Sequence, residues 1–209
     1  MNSKLLLTVG TLHFIALISP GPDFVLILRN TLKHGRLLGF FTGMGFATGI
    51  AVHSAYCIGG IALLLVKQPQ VFQLIKLLGA GYIIFLGLQS LLAGLRSHPD
   101  KGGIKETKLE EPSSGARAFR QGFLTNLLNP KATLAILGLY TAVIPANTDK
   151  MNLLAAAAIM VGLTLVWFSC VALFFGISHI RMQYLKLEKT LNIVFATLFI
   201  VAGISIILG

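Results

Sequence analysis

Six apolar stretches, each about long enough to cross a bilayer, take up most of this 209-residue chain. A hydrocarbon core of about 30 Å needs roughly 20 apolar residues in helical form. Helices satisfy their own backbone polar groups, which lipid cannot do. The stretches run over about 5–28, 37–66, 71–95, 119–140, 151–177 and 191–208. Only 11% of the residues are charged, against about 25% in a soluble domain. The fold class expected is therefore all-α and integral to the membrane, with six transmembrane helices.

The net charge of +10 does not point to nucleic acid, because the basic residues lie mostly between the apolar stretches. Loops on one side carry Arg29, Lys33, Arg36, Arg96, Lys101, Lys105, Lys108, Arg117, Arg120, Arg181, Lys186 and Lys189. The other side carries Lys4, Lys67 and Lys150, a bias of twelve to three. By the positive-inside rule both termini face away from the cytoplasm. Cys57 and Cys170 stand alone in apolar runs with no metal-ligand spacing, so neither a metal site nor redox chemistry is expected. The N-terminal run has no small-residue cleavage site and reads as a retained first helix.

One polar stretch, 96–118, is rich in Gly, Pro, Ser and charge and reads as a cytoplasmic linker. It separates a first three-helix repeat at 1–95 from a second at 119–209, within one membrane domain. Three is odd, so the second repeat enters the membrane in the opposite sense, as in inverted-repeat transporters. Pro20 aligns with Pro130 at an offset of 110 positions. Gly39-x-x-x-Gly43 and Gly45-x-x-x-Gly49 in the second stretch are the small-residue spacing of closely packed helices.

Two of the stretches, the first and fourth, are broken. The first break reads Ser19-Pro20-Gly21-Pro22-Asp23 and the second Asn129-Pro130-Lys131-Ala132. Proline removes an N–H and clashes with the preceding turn. Ser19 and Asn129 suit a helix N-cap, and Pro20 and Pro130 the first helical position. Each break can start a half-helix at mid-membrane depth, its N-terminus carrying about half a positive charge. Two such ends make an anion site.

Asp23 falls in the first turn of its half-helix, where the dipole favours a carboxylate. Lys131 falls where the dipole opposes a cation, so it needs an anion, either Asp23 or a substrate carboxylate. An ionisable residue inside a membrane span is a functional candidate by default. A structural ion pair, or snorkelling to the interface, are the alternatives. Ser19, Pro20, Gly21, Pro22, Asp23, Asn126, Asn129, Pro130 and Lys131 form the candidate substrate site. Asp23 and His13 are the candidate coupling residues, His13 as a proton relay or as hydrogen-bonded packing. His53 in the second stretch and Trp167 in the fifth are read chiefly as packing, Trp167 alternatively as a pocket wall.

The run Leu12-His13-Phe14-Ile15-Ala16-Leu17-Ile18-Ser19-Pro20-Gly21-Pro22-Asp23-Phe24 resembles the first-helix signature of the LysE/RhtB amino-acid exporters. Gly122-Phe123-Leu124-Thr125-Asn126-Leu127-Leu128-Asn129-Pro130-Lys131-Ala132 resembles their fourth-helix signature. The aspartate after Pro-Gly-Pro is most similar to the threonine/homoserine efflux branch. The resemblance implies a secondary transporter, not an enzyme, in the bacterial inner membrane. It implies export of small zwitterionic amino acids, threonine, homoserine or similar, driven by the proton-motive force. No cofactor is implied beyond a coupling ion, proton or sodium, and no partner beyond the lipid bilayer and an optional homodimer. Export of another small metabolite or a cation, and a non-transporting membrane scaffold, are the alternatives.

Overall fold

The computed structural model describes residues 2–19, 21–67, 69–96, 114–145, 147–175 and 177, together with scattered positions between 187 and 208. The described residues are helical, without strands. The elements are α1 (Ser3–Ile18), α2 (Pro22–His34), α3 (Arg36–Lys67), α4 (Pro69–Arg96), α5 (Gly115–Leu127) and α6 (Pro130–Gly138). A π-helical segment (Leu139–Val143) continues α6, and α7 (Lys150–Phe174) follows. The linker residues 97–113 and a minority of the sixth stretch lie outside the described residues; the described positions from Leu187 to Leu208 are helical.

Six spans are expected from the sequence. Among the described residues two helices, Arg36–Gly60 and Lys150–Phe174, are long and apolar enough to cross a membrane. A third crossing results if α1 and α2, bent by 59° at the first break, count as one. Large apolar side chains such as Leu7, Leu37, Leu78, Leu128 and Val166 stand exposed on the outside of the bundle. A surface of this kind suits lipid rather than water.

Glycine sets how closely the helices approach. A Cβ on Gly122 would run into the backbone of Thr42, and one on Gly45 into the backbone of α5 at Phe119 and Phe123, so α3 and α5 touch nearly backbone to backbone. Gly39 lies against Ala172 and Gly43 against Phe168, which brings α3 to α7. The paired glycine spacings thus serve packing. Gly35, at φ 89°, turns the corner from α2 to α3 in a region that a side chain rarely enters.

Elements before the linker run antiparallel to elements after it where they touch. Asn30 meets Gln121, Asp23 meets Asn126 and Asn129, and Ser19 meets Lys131. The same reversal relates Gly39 and Gly43 to Ala172 and Phe168, and Ala80 and Gly87 to Gly203 and Ala196.

Two apolar clusters fill the bundle. One joins Leu5, Leu6 and Val9 of α1 to Ile50, Ile136, Tyr140 and Met160. The other joins Phe24, Ile27 and Leu28 of α2 to Phe46, Phe168 and Val171. The break between α1 and α2 falls between them.

α7 begins outside the apolar span, on Asp149. Its carboxylate accepts from the Asn152 backbone N–H at 2.9 Å and from the Asn152 side-chain amide. The backbone N–H bond first, then the amide, hold this carboxyl below the usual carboxylate range. A depressed folded-state pKa means the cap is intact above the ordinary range and is lost as pH falls through the lower folded value. Acidification below about pH 4 should therefore fray the first turn of α7. Faster amide exchange at Asn152 checks this, and Asp149→Asn should flatten the dependence.

Candidate functional site

The second break forms as its residues dictate. Asn129 is the N-cap of α6, its side-chain oxygen accepting from the Lys131 N–H at 3.0 Å, and Pro130 is the first helical residue. The first break departs from expectation by two residues. α2 starts at Pro22 with Gly21 as N-cap, while Ser19 closes α1, its N–H donating to Ile15 O at 3.3 Å. Pro20 lies outside the described residues. Pro22 fits the first helical position as well as Pro20 would, since it has no N–H to waste and a pre-set φ. Ser19 is thereby released from capping α2.

The breaks grip each other. Asp23, in the first turn of α2, accepts from Asn126 Nδ2 at 2.7 Å and from Asn129 Nδ2 at 3.0 Å, both from the second half. Lys131, in the first turn of α6, donates from Nζ to Ser19 O and Ser19 Oγ, each at 3.0 Å, in the first half. Asp23 and Lys131 also lie within each other's electrostatic field. Each charged side chain thus reaches across to polar groups of the opposite break. Asn129 does two jobs with one amide: its oxygen caps α6 and its nitrogen holds Asp23.

A cavity of about 50 Å³ opens at this crossing. It has room for roughly three to five waters at about 10–15 Å³ each. Ser19, Gly21, Asp23, Asn126, Asn129 and Lys131 supply its polar wall. Ile50, Ile136, Phe24 and Phe168 supply the apolar one, two from each core cluster. The cavity therefore joins a carboxylate, an ammonium, two helix N-termini and an apolar face. Gly21 matters for closeness: a Cβ there would stand 3.3 Å from Lys131 Nζ.

Of the sequence-predicted site, Ser19, Gly21, Asp23, Asn126, Asn129 and Lys131 line the cavity; Pro22 and Pro130 start the half-helices without lining it. His13 lines it too, its Nε2 hydrogen-bonded to Thr164 Oγ1 at 2.9 Å. Phe168, not Trp167, is the aromatic wall on α7; Trp167 packs edge-on against Phe14, centroids 5.6 Å apart. His53, which the sequence reads as packing, touches the site through a backbone carbonyl. It is buried, its Nε2 reaches Asn126 O at 3.3 Å, its Nδ1 meets Tyr56 OH, and it shares Asp23's field. The signal was a His and a Tyr three residues apart, hence on one face of an apolar helix.

Gly49 makes room for the Asn126 side chain: a Cβ there would stand 3.0 Å from Asn126 Cβ and Cγ and collide with Oδ1. Gly49→Ala should push Asn126 off Asp23 and destabilise the fold by about 1.5 kcal/mol, the worth of one charge-assisted bond. A lowered thermal midpoint in detergent checks it.

The model of the LysE type translocator family matches residues 14–209. The threonine efflux protein of Escherichia coli K12 is 28% identical over 205 residues, covering 98% of each chain. The threonine efflux protein of Salmonella typhi gives the same identity and coverage. The uncharacterized membrane protein YrhP of Bacillus subtilis is 29% identical over 191 residues, covering 90% of this chain and 91% of its own. No solved structure matches.

Proposed function

The chain belongs to the LysE type translocator family, and from that premise we propose that it exports small zwitterionic amino acids from the cytoplasm in exchange for protons. Members of this family are transporters, not enzymes, and so is this membrane protein. The observation that carries the proposal is the reciprocal grip of the two breaks, which sets a carboxylate and an ammonium on one small cavity. A zwitterion has the matching pair of charges. Its carboxylate takes Lys131 and the two helix N-termini, and its ammonium takes Asp23. The cavity's size favours a small side chain such as that of threonine or homoserine, and threonine is the substrate that the relatives' names state.

Coupling follows from exclusive use of Asp23. Substrate ammonium holds it on the cytoplasmic side, and a proton replaces the ammonium on the other. Sodium in the proton's place would use the same carboxylate. His13, on the cavity wall, is a second candidate for the proton path. The two halves form inverted three-helix repeats that rock about this site. The antiparallel contacts between elements related by the offset of 110 support that arrangement. The same reading seats the chain in the bacterial inner membrane with both termini away from the cytoplasm, on its Lys/Arg bias. It accommodates a homodimer.

Growth of an overexpressing strain on inhibitory levels of single amino acids tests the substrate class. Resistance to threonine and homoserine is expected. Resistance to none of the small amino acids overturns the proposal.

A further inference from the structure

His13 lines the cavity, and its bonds fix which edge of the imidazole is left for it. Thr164 Oγ1 lies 2.8 Å from Met160 O, one turn back on α7, and donates to it. A hydroxyl has one hydrogen, and a carbonyl can only accept. The hydrogen therefore lies on that line, because two oxygens so close with none between them would face lone pair to lone pair. Thr164 has only lone pairs left for His13. The 2.9 Å contact is then an Nε2–H donating to Thr164 Oγ1.

Both residues are buried, and among the described residues no carboxylate is bonded to the ring. A buried charge without a partner is costly, so the ring is neutral. A neutral imidazole with its hydrogen on Nε2 has a bare lone pair on Nδ1. The N–H groups of α1 around it are spent within the helix. Among the described residues no group donates to Nδ1. The two ring nitrogens point in nearly opposite directions, so the Nε2 edge is taken by α7 and the Nδ1 edge is left for the cavity.

The other polar groups of the cavity all lie at the two breaks. Away from the breaks its wall is Ala16 and Leu17 beside His13 on α1, and Ala132, Ala135 and Ile136 on α6. A zwitterion seated on Asp23 and Lys131 leaves only its side chain for this wall. The alanines leave room for a small group, and one acceptor among apolar neighbours matches a side chain that carries one hydroxyl. A site built to bind a hydroxyl rejects the analogue that lacks it, since its own polar group is then left unpaired.

We propose that His13 Nδ1 accepts the side-chain hydroxyl of the substrate, and that His13 thereby selects small hydroxylated amino acids over their apolar isosteres. Thr164 is the positioning residue that holds the ring in this tautomer. The inference deepens the proposed zwitterion site and rests on it.

The test measures counterflow of labelled threonine by the full chain in proteoliposomes, with unlabelled amino acids as competitors. Valine is threonine with a methyl in place of the hydroxyl, and norvaline stands to homoserine in the same way. Threonine and homoserine should each compete about tenfold better than the isostere. His13→Leu removes the acceptor and strands no donor, because Thr164 still donates to Met160 O. It should narrow both ratios to about twofold or less. Equal competition by threonine and valine in the wild type overturns the inference, and needs no variant to fold. A His13→Leu protein that retains the wild-type ratios also overturns it, even if pH-driven accumulation is lost, since His13 would then serve the proton path alone. A wild type that counterflows no amino acid overturns instead the zwitterion site on which the inference rests.

Discussion

Asp23→Asn should abolish net export while leaving the protein folded in the membrane. The carboxylate accepts two amide donors, from Asn126 and Asn129, and lies in the field of Lys131. An asparagine keeps the volume and one acceptor oxygen, but turns an NH₂ toward one of those amides. It can neither pair a substrate ammonium nor exchange it for a proton. Loss of a charge-assisted contact to the ammonium, of about 3 kcal/mol, corresponds to roughly 100-fold weaker binding. The coupling loss is larger, because no titratable group remains at that position. Binding of labelled threonine in detergent and gradient-driven flux in vesicles separate the two effects.

Lys131→Met should cost more in stability than any other single change at the site. The ammonium donates to Ser19 O and Ser19 Oγ and opposes the Asp23 charge. Removing it strands the Ser19 carbonyl and leaves Asp23 facing neutral amides alone. Breaking one partner out of a largely buried pair costs about 3–5 kcal/mol. The double variant Asp23→Asn with Lys131→Met should regain part of that loss, since no lone charge is left, yet remain inactive. Thermal unfolding of the four proteins in one detergent measures the coupling directly.

How much of this was legible in the chain differs between the two breaks. At the second, Asn129 and Pro130 leave one way to start a helix, and α6 begins there. Lys131 in the first turn follows, as does its need for an acceptor across the interface. At the first, Ser-Pro-Gly-Pro offers two prolines that each satisfy the rule for the first helical position. Local preference cannot choose between them; the helix starts at Pro22, and Ser19 instead serves Lys131. The α7 face was not legible either. Trp167 and Phe168 are adjacent, and a helix apolar all round has no stripe to say which one points inward. Phe168 is buried against Phe46 with centroids 4.6 Å apart, while Trp167 meets Phe14. His53 reads from the sequence as packing, because its link to the site passes through the backbone carbonyl of Asn126, 73 positions away. No side-chain pattern encodes such a contact.

The glycine spacings were legible as packing, but not their assignment. Gly39 and Gly43 serve α7, whereas Gly45 and Gly49 serve α5. The second pair follows the first along one helix but out of phase with it, so each faces a different neighbour. That division is what brings Asn126 beneath α3 and within reach of Asp23.

Threonine accumulation in acid-loaded proteoliposomes tests the central claim most directly. Wild-type protein should accumulate labelled threonine when the vesicles are diluted into alkaline buffer, and a protonophore should abolish the accumulation. Asp23→Asn should show none. Accumulation by Asp23→Asn that matches the wild type and still collapses with the protonophore would contradict the account, because the carboxylate at the crossing of the two breaks would then play no part in coupling.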